Sequence, residues 1–367
     1  MFRRLLFPLV CVLVFSVNAL ACDACGGNIG DPSRGGGSGL TAGIGDVRRP
    51  LTDLILSKKM NPSATGPETT LSNGPVPDFT SETTPSEHPE SSPRRWSLDT
   101  SFDYRCFQRN TAENSFKIVQ SGHDQHGYRF DYFVSEHISY AISDDLAIGI
   151  GAGFRSLHKI NVDDPARLGQ HETSAGATDP TFDVKYRFMH QTECFPLDLA
   201  VFAAMKTNFG ETQNRRPSGE LFETEDQPGT GSLNGTLGLA ASRGWGKWGM
   251  SASASYTYKG EGSQKFKEGD VTHMTLSGSR LLSPDCYAWK LYGSVGLQGI
   301  IEKHAQEDGI TDPDHGGKFM YFVPGIAAKP TDRLVLSLSA PIPVIQDENG
   351  THQKQRWNLH LGVGVRF

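Results

Sequence analysis

Long apolar runs are what this chain of 367 residues lacks. Beyond residues 5–17 no window approaches the ~20 consecutive apolar residues that a membrane helix requires, so a helical membrane protein is excluded. Cysteine is scarce, six in all, and the only close pair is Cys22-Asp23-Ala24-Cys25. No second C-x-x-C or histidine pair follows at a spacing that would complete a four-ligand zinc site. Gly26, not histidine, follows Cys25, which removes the covalent haem motif. No metal or other cofactor is therefore implied. A surplus of positive charge is also missing: a formal net charge of −6 argues against a nucleic-acid partner.

The amino terminus carries a routing signal. Arg3 and Arg4 precede the apolar stretch 5–17, and Ala19-Leu20-Ala21 supplies the small residues of a cleavage site, the layout of a secretory signal peptide over 1–21. Cleavage there starts the mature chain at Cys22. A cysteine at that place also fits acylation, but Ala19 stands where lipoprotein signals carry leucine, so ordinary cleavage is expected. Cys22 and Cys25 are then expected to form a local disulfide in an oxidising periplasm. Residues 22–94 are rich in Gly, Pro, Ser and Thr and poor in large apolar side chains. Such a stretch cannot offset its ordering entropy, and it reads as a low-complexity, disordered periplasmic extension.

From residue 95 the texture changes to alternating runs separated by turn residues. Twelve strands are expected, at 96–107, 128–142, 146–160, 178–189, 197–209, 232–243, 248–259, 271–282, 287–303, 318–329, 333–345 and 355–367. Short turns alternate with longer polar loops, as in barrels whose turns face the periplasm and whose loops face outward. The last segment alternates without a fault: Trp357, Leu359, Leu361, Val363, Val365 and Phe367 share one face, while Asn358, His360, Gly362, Gly364 and Arg366 share the other. This terminal pattern resembles the signal by which the barrel-insertion machinery recognises its substrates. The expected fold is all-β, a transmembrane antiparallel β-barrel of about twelve strands over 95–367, surrounded by outer-membrane lipid.

Charge on every second residue is the strongest argument for a wet interior. In the fourth strand Phe182, Val184, Tyr186 and Phe188 alternate with Asp183, Lys185 and Arg187. A dry sandwich core would pay heavily for those charges, whereas a hydrated lumen accepts them. The lumen-lining candidates are Asp99, Asp103, Arg105, Arg155, Asp183, Lys185, Arg187, Lys206, Lys290 and Arg356. They either select solutes or fill the barrel with mutually paired charge. Glu136 and Arg280 fall on apolar faces in this register, which predicts a bulge or a shift at each. His137, His273 and His360 lie mid-strand without a nucleophile motif beside them, and no catalytic residues are assigned. His123, His126, His158, His304 and His315 fall in or near loops. Cys106 lies at the opposite barrel end from Cys194 and Cys286, which excludes a bridge to either.

At Gly176-Ala177-Thr178-Asp179-Pro180-Thr181-Phe182-Asp183-Val184-Lys185-Tyr186-Arg187 the chain resembles the outer-membrane family named for the meta pathway of phenol degradation, whose segment reads Gly-x-x-Asp-x-x-Phe/Leu-x-x-Lys-Tyr-Arg. A second stretch is similar to that family's next block: residues 206–210, then Gln227-Pro228-Gly229-Thr230-Gly231-Ser232 and Arg243-Gly244-Trp245-Gly246-Lys247-Trp248. The resemblance covers the barrel and implies a monomeric transporter that passes small hydrophobic or aromatic molecules. It carries no catalytic residues. The alternative from a different class is a structural or partner-binding barrel with a plugged lumen.

Overall fold

The two-residue alternation becomes one continuous antiparallel sheet in the computed structural model, which describes residues 95–108, 111–120, 127–192, 194–284, 286–350 and 353–367. The signal segment, the extension with Cys22 and Cys25, and His123 and His126 lie outside the described residues. In chain order the elements are β1 (Trp96–Phe107), α1 (Ala112–Gln120), β2 (Tyr128–Ala141), β3 (Leu146–Ile160), β4 (His171–Ala177), β5 (Thr181–Met189), β6 (Asp198–Lys206), β7 (Asn234–Trp245), β8 (Trp248–Tyr258), β9 (Phe266–Lys267), β10 (Val271–Leu281), β11 (Lys290–Glu302), β12 (Ala305–Glu307), β13 (Ile310–Asp312), β14 (Gly317–Thr331), β15 (Leu334–Ser339), β16 (Ile342–Glu348) and β17 (Gln355–Arg366).

Successive wall strands pair with each other, β9, β12 and β13 form a separate three-stranded sheet, and β17 pairs with β1 from Ser97↔Arg366 to Phe107↔Gln355, which closes the barrel. β4 and β5 form one wall strand interrupted at residues 178–180, and β15 and β16 form another interrupted at 340–341, so the closed barrel has twelve strands. Closure removes every sheet edge, which is the condition for a β structure to stand in lipid. The C-terminal segment does what its alternation predicts: Trp357, Leu359, Leu361, Val363 and Val365 face outward, while Asn358, His360, Gly362, Gly364 and Arg366 face in.

Most of the outward face is apolar and exposed, the exception being Phe102, Tyr104 and Cys106 of β1, which are buried. Ile148, Ile150, Phe154, Phe182, Val184, Leu237, Leu239, Met274, Leu276, Val295, Leu297 and Phe322 all stand exposed. In water such a belt would be an aggregation surface, and in lipid it is the solvated face. Tryptophan marks its rims. Trp96, Trp245, Trp248 and Trp289 are exposed at the turn end, and Trp357 stacks on Tyr104 towards the loop end at 5.4 Å between centroids.

Two expected register faults are absent. Pairing is regular through Thr100↔Glu136 and Glu136↔Ala152, so Glu136 does face outward, where its carboxylate accepts from Thr100 Oγ1 at 2.8 Å. Arg280 also faces outward in an unbroken ladder and lays its guanidinium 4.9 Å over the Trp248 ring. A long basic side chain at a strand end reaches the rim without a bulge. The loop regions hold more structure than turn residues predict. Stretch 108–127 contains α1, whose first turn is capped by Thr111 Oγ1 accepting from the Asn114 amide at 3.2 Å. Stretch 161–177 contains β4, which prolongs the barrel wall beside the upper part of β3.

Candidate functional site

Inward side chains define the interior, and they divide it by type. From β1 to β6 they are large and charged. At the loop end Arg105 Nη2 lies 2.8 Å from Asp131, and Arg155 Nε lies 3.3 Å from the same carboxylate. Below them His137 Nε2 and Asp183 Oδ1 are 2.7 Å apart, both buried. Nearer the turns Arg187 lies 3.0 Å from Asp145 and 4.0 Å from Asp198. Pairing of this kind is what lets charge persist at such low exposure, because an unpartnered ion there would cost several kcal/mol.

Small residues on adjacent strands make room for this packing. A Cβ on Gly149 would come within 2.4 Å of the His137 ring and 2.7 Å of Asp183 Oδ2. Gly238 likewise leaves the space that the Phe202 ring occupies, with a would-be Cβ at 2.2 Å.

From β7 to β15 the inward row is mostly uncharged, with short Ser, Thr and Gly on β8 and β10 and larger buried side chains, Tyr292, Gln298, Ile300, Phe319 and Tyr321, on β11 and β14. Ser251, Ser253 and Ser255 of β8 face Ser277, Thr275 and His273 of β10, with Ser251 Oγ to Ser277 Oγ at 2.6 Å and Ser253 Oγ to Thr275 Oγ1 at 2.7 Å. Charge on this side sits only at strand ends, at Lys259, Lys290, Glu302 and Lys329. Ser251, Ser253, Thr275, Ser277, Gly296, Val323, Gly325 and Ser337 point inward yet remain partly accessible, as do Asp99, Ser101 and Asp103 across the β1–β17 seam.

The third long loop, 207–233, folds into the mouth over the charged half. Its single helical turn Thr224–Asp226 is buried, with Asp226 and Gln227 fully enclosed. Tyr128 OH donates to Asp226 Oδ1 at 2.9 Å, and Lys159 Nζ lies 2.5 Å from Oδ2. Arg155 Nη1 donates to the carbonyls of Glu225 and Gln227 at 2.7 and 2.9 Å. The Gln227 amide donates back to the carbonyls of Asn214 and Phe222, each at 3.0 Å. At the loop's base Asp179 accepts from Lys206 Nζ at 2.7 Å and from the amides of Gly210 and Thr230 at 2.8 Å each. Close backbone approach explains two glycines there, since a Cβ on Gly210 would meet the Asp179 amide nitrogen at 2.6 Å and one on Gly229 would meet Gly210 Cα at 2.7 Å. The two sequence segments that carry the family resemblance thus meet in space, and what they build is the anchor of this loop.

The ten lumen candidates fall into three groups. Arg105, Arg155, Asp183, Lys185, Arg187 and Lys206 are buried inward, and Asp99, Asp103 and Lys290 are inward and half-buried. Asp103 Oδ1 lies 2.9 Å from His360 Nδ1. Arg356 stands apart: it occupies the irregularity between Gln355 and Trp357 and is exposed at the loop end. Periodicity alone could have added Asp131 and His137, which lie on the inward face of β2. Asp179 was visible only as a motif residue, and nothing in a polar loop distinguishes Asp226 before the fold brings Lys159 to it. His273 Nε2 is 2.9 Å from the Gln298 amide. His158 faces outward instead, stacked 4.3 Å from Phe130. Cys106 is buried, and Cys194 and Cys286 are exposed.

A closed antiparallel barrel with an apolar outside and a polar inside has the fold of the transmembrane β-barrels. No protein-family model and no curated protein matches the chain. Among solved structures it is similar to an outer membrane channel from Pseudomonas putida F1, at 16% identity and a TM-score of 0.51, covering 78% of this chain and 100% of that one. It is also similar to the β domain of the Bordetella autotransporter BrkA, at 11% identity and a TM-score of 0.45, covering 75% of this chain and 100% of that one. At these identities the likeness is one of fold.

Proposed function

We propose that this chain is an outer-membrane channel that passes small molecules passively. The observation that supports this most is the accessible row of short hydroxyl and glycine residues along β8, β10, β14 and β15, facing a wall whose charges are already paired among themselves. A wall of that kind leaves room for a solute without binding it tightly, the condition for release as well as entry. In this reading the short turns and residues 22–94 face the periplasm, Cys22 and Cys25 are joined there, and the alternating terminus 357–367 guides insertion of a monomer.

The finer assignment, to hydrophobic or aromatic solutes and to the family named for the meta pathway of phenol degradation, rests on the two motif segments. That those segments form one loop anchor supports reading them together.

The test is conductance across planar bilayers and solute influx into liposomes by the inserted protein. Discrete conductance steps and influx of small neutral solutes are expected. Correctly inserted protein that leaves the bilayer silent and the liposomes tight would overturn the reading. It would favour a structural or partner-binding barrel plugged by the third loop, a reading supported by the burial of residues 224–230.

A further inference from the structure

The loop-end rim above β8, β10, β11 and β14 carries outward-facing features that a solute path inside the barrel does not use. Lys303 and Lys318 stand on the outward face of neighbouring strands and are exposed. They flank a groove of about 480 Å³ whose walls also include His304, Gln306, Asn349 and Asp347. Directly below, two tyrosines form the upper edge of the apolar belt. Lys303 Nζ lies 5.4 Å over the Tyr256 ring and 3.2 Å from its hydroxyl, and Lys267 Nζ lies 4.9 Å over the Tyr258 ring. Tyrosines at a belt edge mark the headgroup level of a bilayer, and lysines just above them reach into that layer.

The two lysines differ in what they already hold. Lys303 pairs with Asp270 at 3.1 Å while keeping 63% of its side chain exposed. Lys318 makes no ion pair among the described residues, although Asp347 is its cross-strand neighbour. The exposed ammonium groups of Lys303 and Lys318 and the uncharged donor of Gln306 match a phosphate monoester better than a neutral headgroup, against the carboxyl groups of Glu302 and Asp347 that also line the groove.

We propose that this groove binds the phosphate of a phosphorylated lipid headgroup in the outer leaflet, holding a lipid against the barrel wall at β11 and β14. The inference rests on the membrane reading above, because it needs the loop end to lie in the outer leaflet.

The experiment reconstitutes the full mature chain into phosphatidylcholine vesicles doped with lipid A or with its dephosphorylated form, and measures lipid retained per barrel after detergent extraction. Wild type should retain lipid A selectively. Lys303→Ala with Lys318→Ala should weaken retention about tenfold or more. Asp347→Asn, which removes the opposing charge, should strengthen it, and Arg243→Ala at the other rim should leave it unchanged. Equal retention by the double variant, equal retention of the dephosphorylated lipid, or displacement by inorganic phosphate at matching concentration would each overturn the proposal; the last would make this a free-anion site. Insertion is scored on the same vesicles by protease protection. Protein that inserts but retains no lipid sinks this inference alone, while protein that fails to insert sinks the channel reading as well.

Discussion

The half of the wall from β1 to β6 and the half from β7 to β15 are built from the same alternating strands, yet they send opposite things inward. The first sends Arg, Lys, Asp and aromatic side chains that meet each other and the third loop. The second sends chiefly uncharged side chains, short Ser, Thr and Gly on β8 and β10 and larger Tyr292, Ile300, Phe319 and Tyr321 on β11 and β14. The lesson is that one regular strand lattice carries a charged and a mostly uncharged interior side by side, according to side-chain type and with no change in backbone geometry. The charged half is where the third loop is held.

This contrast can be broken most sharply at Asp131. Asp131→Ala strands Arg105 and Arg155 without their shared carboxylate, and should cost about 3–5 kcal/mol of stability. Because Arg155 also holds the third loop, channel conductance should rise or become noisy in the same variant. Denaturant unfolding in lipid vesicles and single-channel recording measure the two effects, and a change in neither would refute the idea that the charged half is structural. Asp183→Ala with Lys185→Ala comes next. Both groups are buried and Asp183 is paired with His137, so the expected loss of stability, about 2–4 kcal/mol, should exceed any change in ion selectivity. A large shift in reversal potential with unchanged unfolding would reverse that ranking.

Gly149→Ala tests the packing beneath the same pair. The added methyl displaces the His137 ring and should cost about 1–3 kcal/mol by overpacking. Gly362→Ala offers the counterpart across the barrel: only the Ser337 hydroxyl, at 2.4 Å, stands in the way, and a hydroxyl can rotate, so a smaller loss is expected in the same unfolding assay. Smallest of all should be Ser251→Ala with Ser277→Ala, which removes both partners of one hydroxyl pair at once. Stability should move by less than about 1 kcal/mol. Placing charge there instead, as Ser253→Asp, should leave unfolding nearly untouched while turning selectivity toward cations. Selectivity that stays flat would show that solutes do not pass along this row.

How much of this could be read beforehand varies with the kind of interaction. Strand positions were legible almost to the residue, because one face meets lipid and the other water along every strand, and that difference repeats every two residues. The irregular wall strands are less so: β4 reads as loop because its inward and outward residues, Glu172, Ser174, Thr173 and Ala175, are too similar in polarity to alternate visibly. Glu136 and Arg280 misled for the opposite reason, since they break the polarity pattern without breaking the ladder. At the site, the members supplied by strands, such as Arg105, Arg155 and Asp183, follow from periodicity. The members supplied by the third loop do not, because a loop residue's surroundings depend on where the chain returns.

By itself, then, the order of residues determined the barrel, its strand count, the closing contact of its last strand with its first, and the division into an apolar outside and a polar inside. Each of these follows from local alternation and from the rule that every backbone hydrogen bond in lipid must be satisfied. Only the tertiary structure decided which charges pair, that Asp226 reaches Lys159 and Tyr128, and that Asp179 ties Lys206 to Gly210 and Thr230. Those outcomes depend on distances between residues far apart in the chain, and no local period encodes such distances.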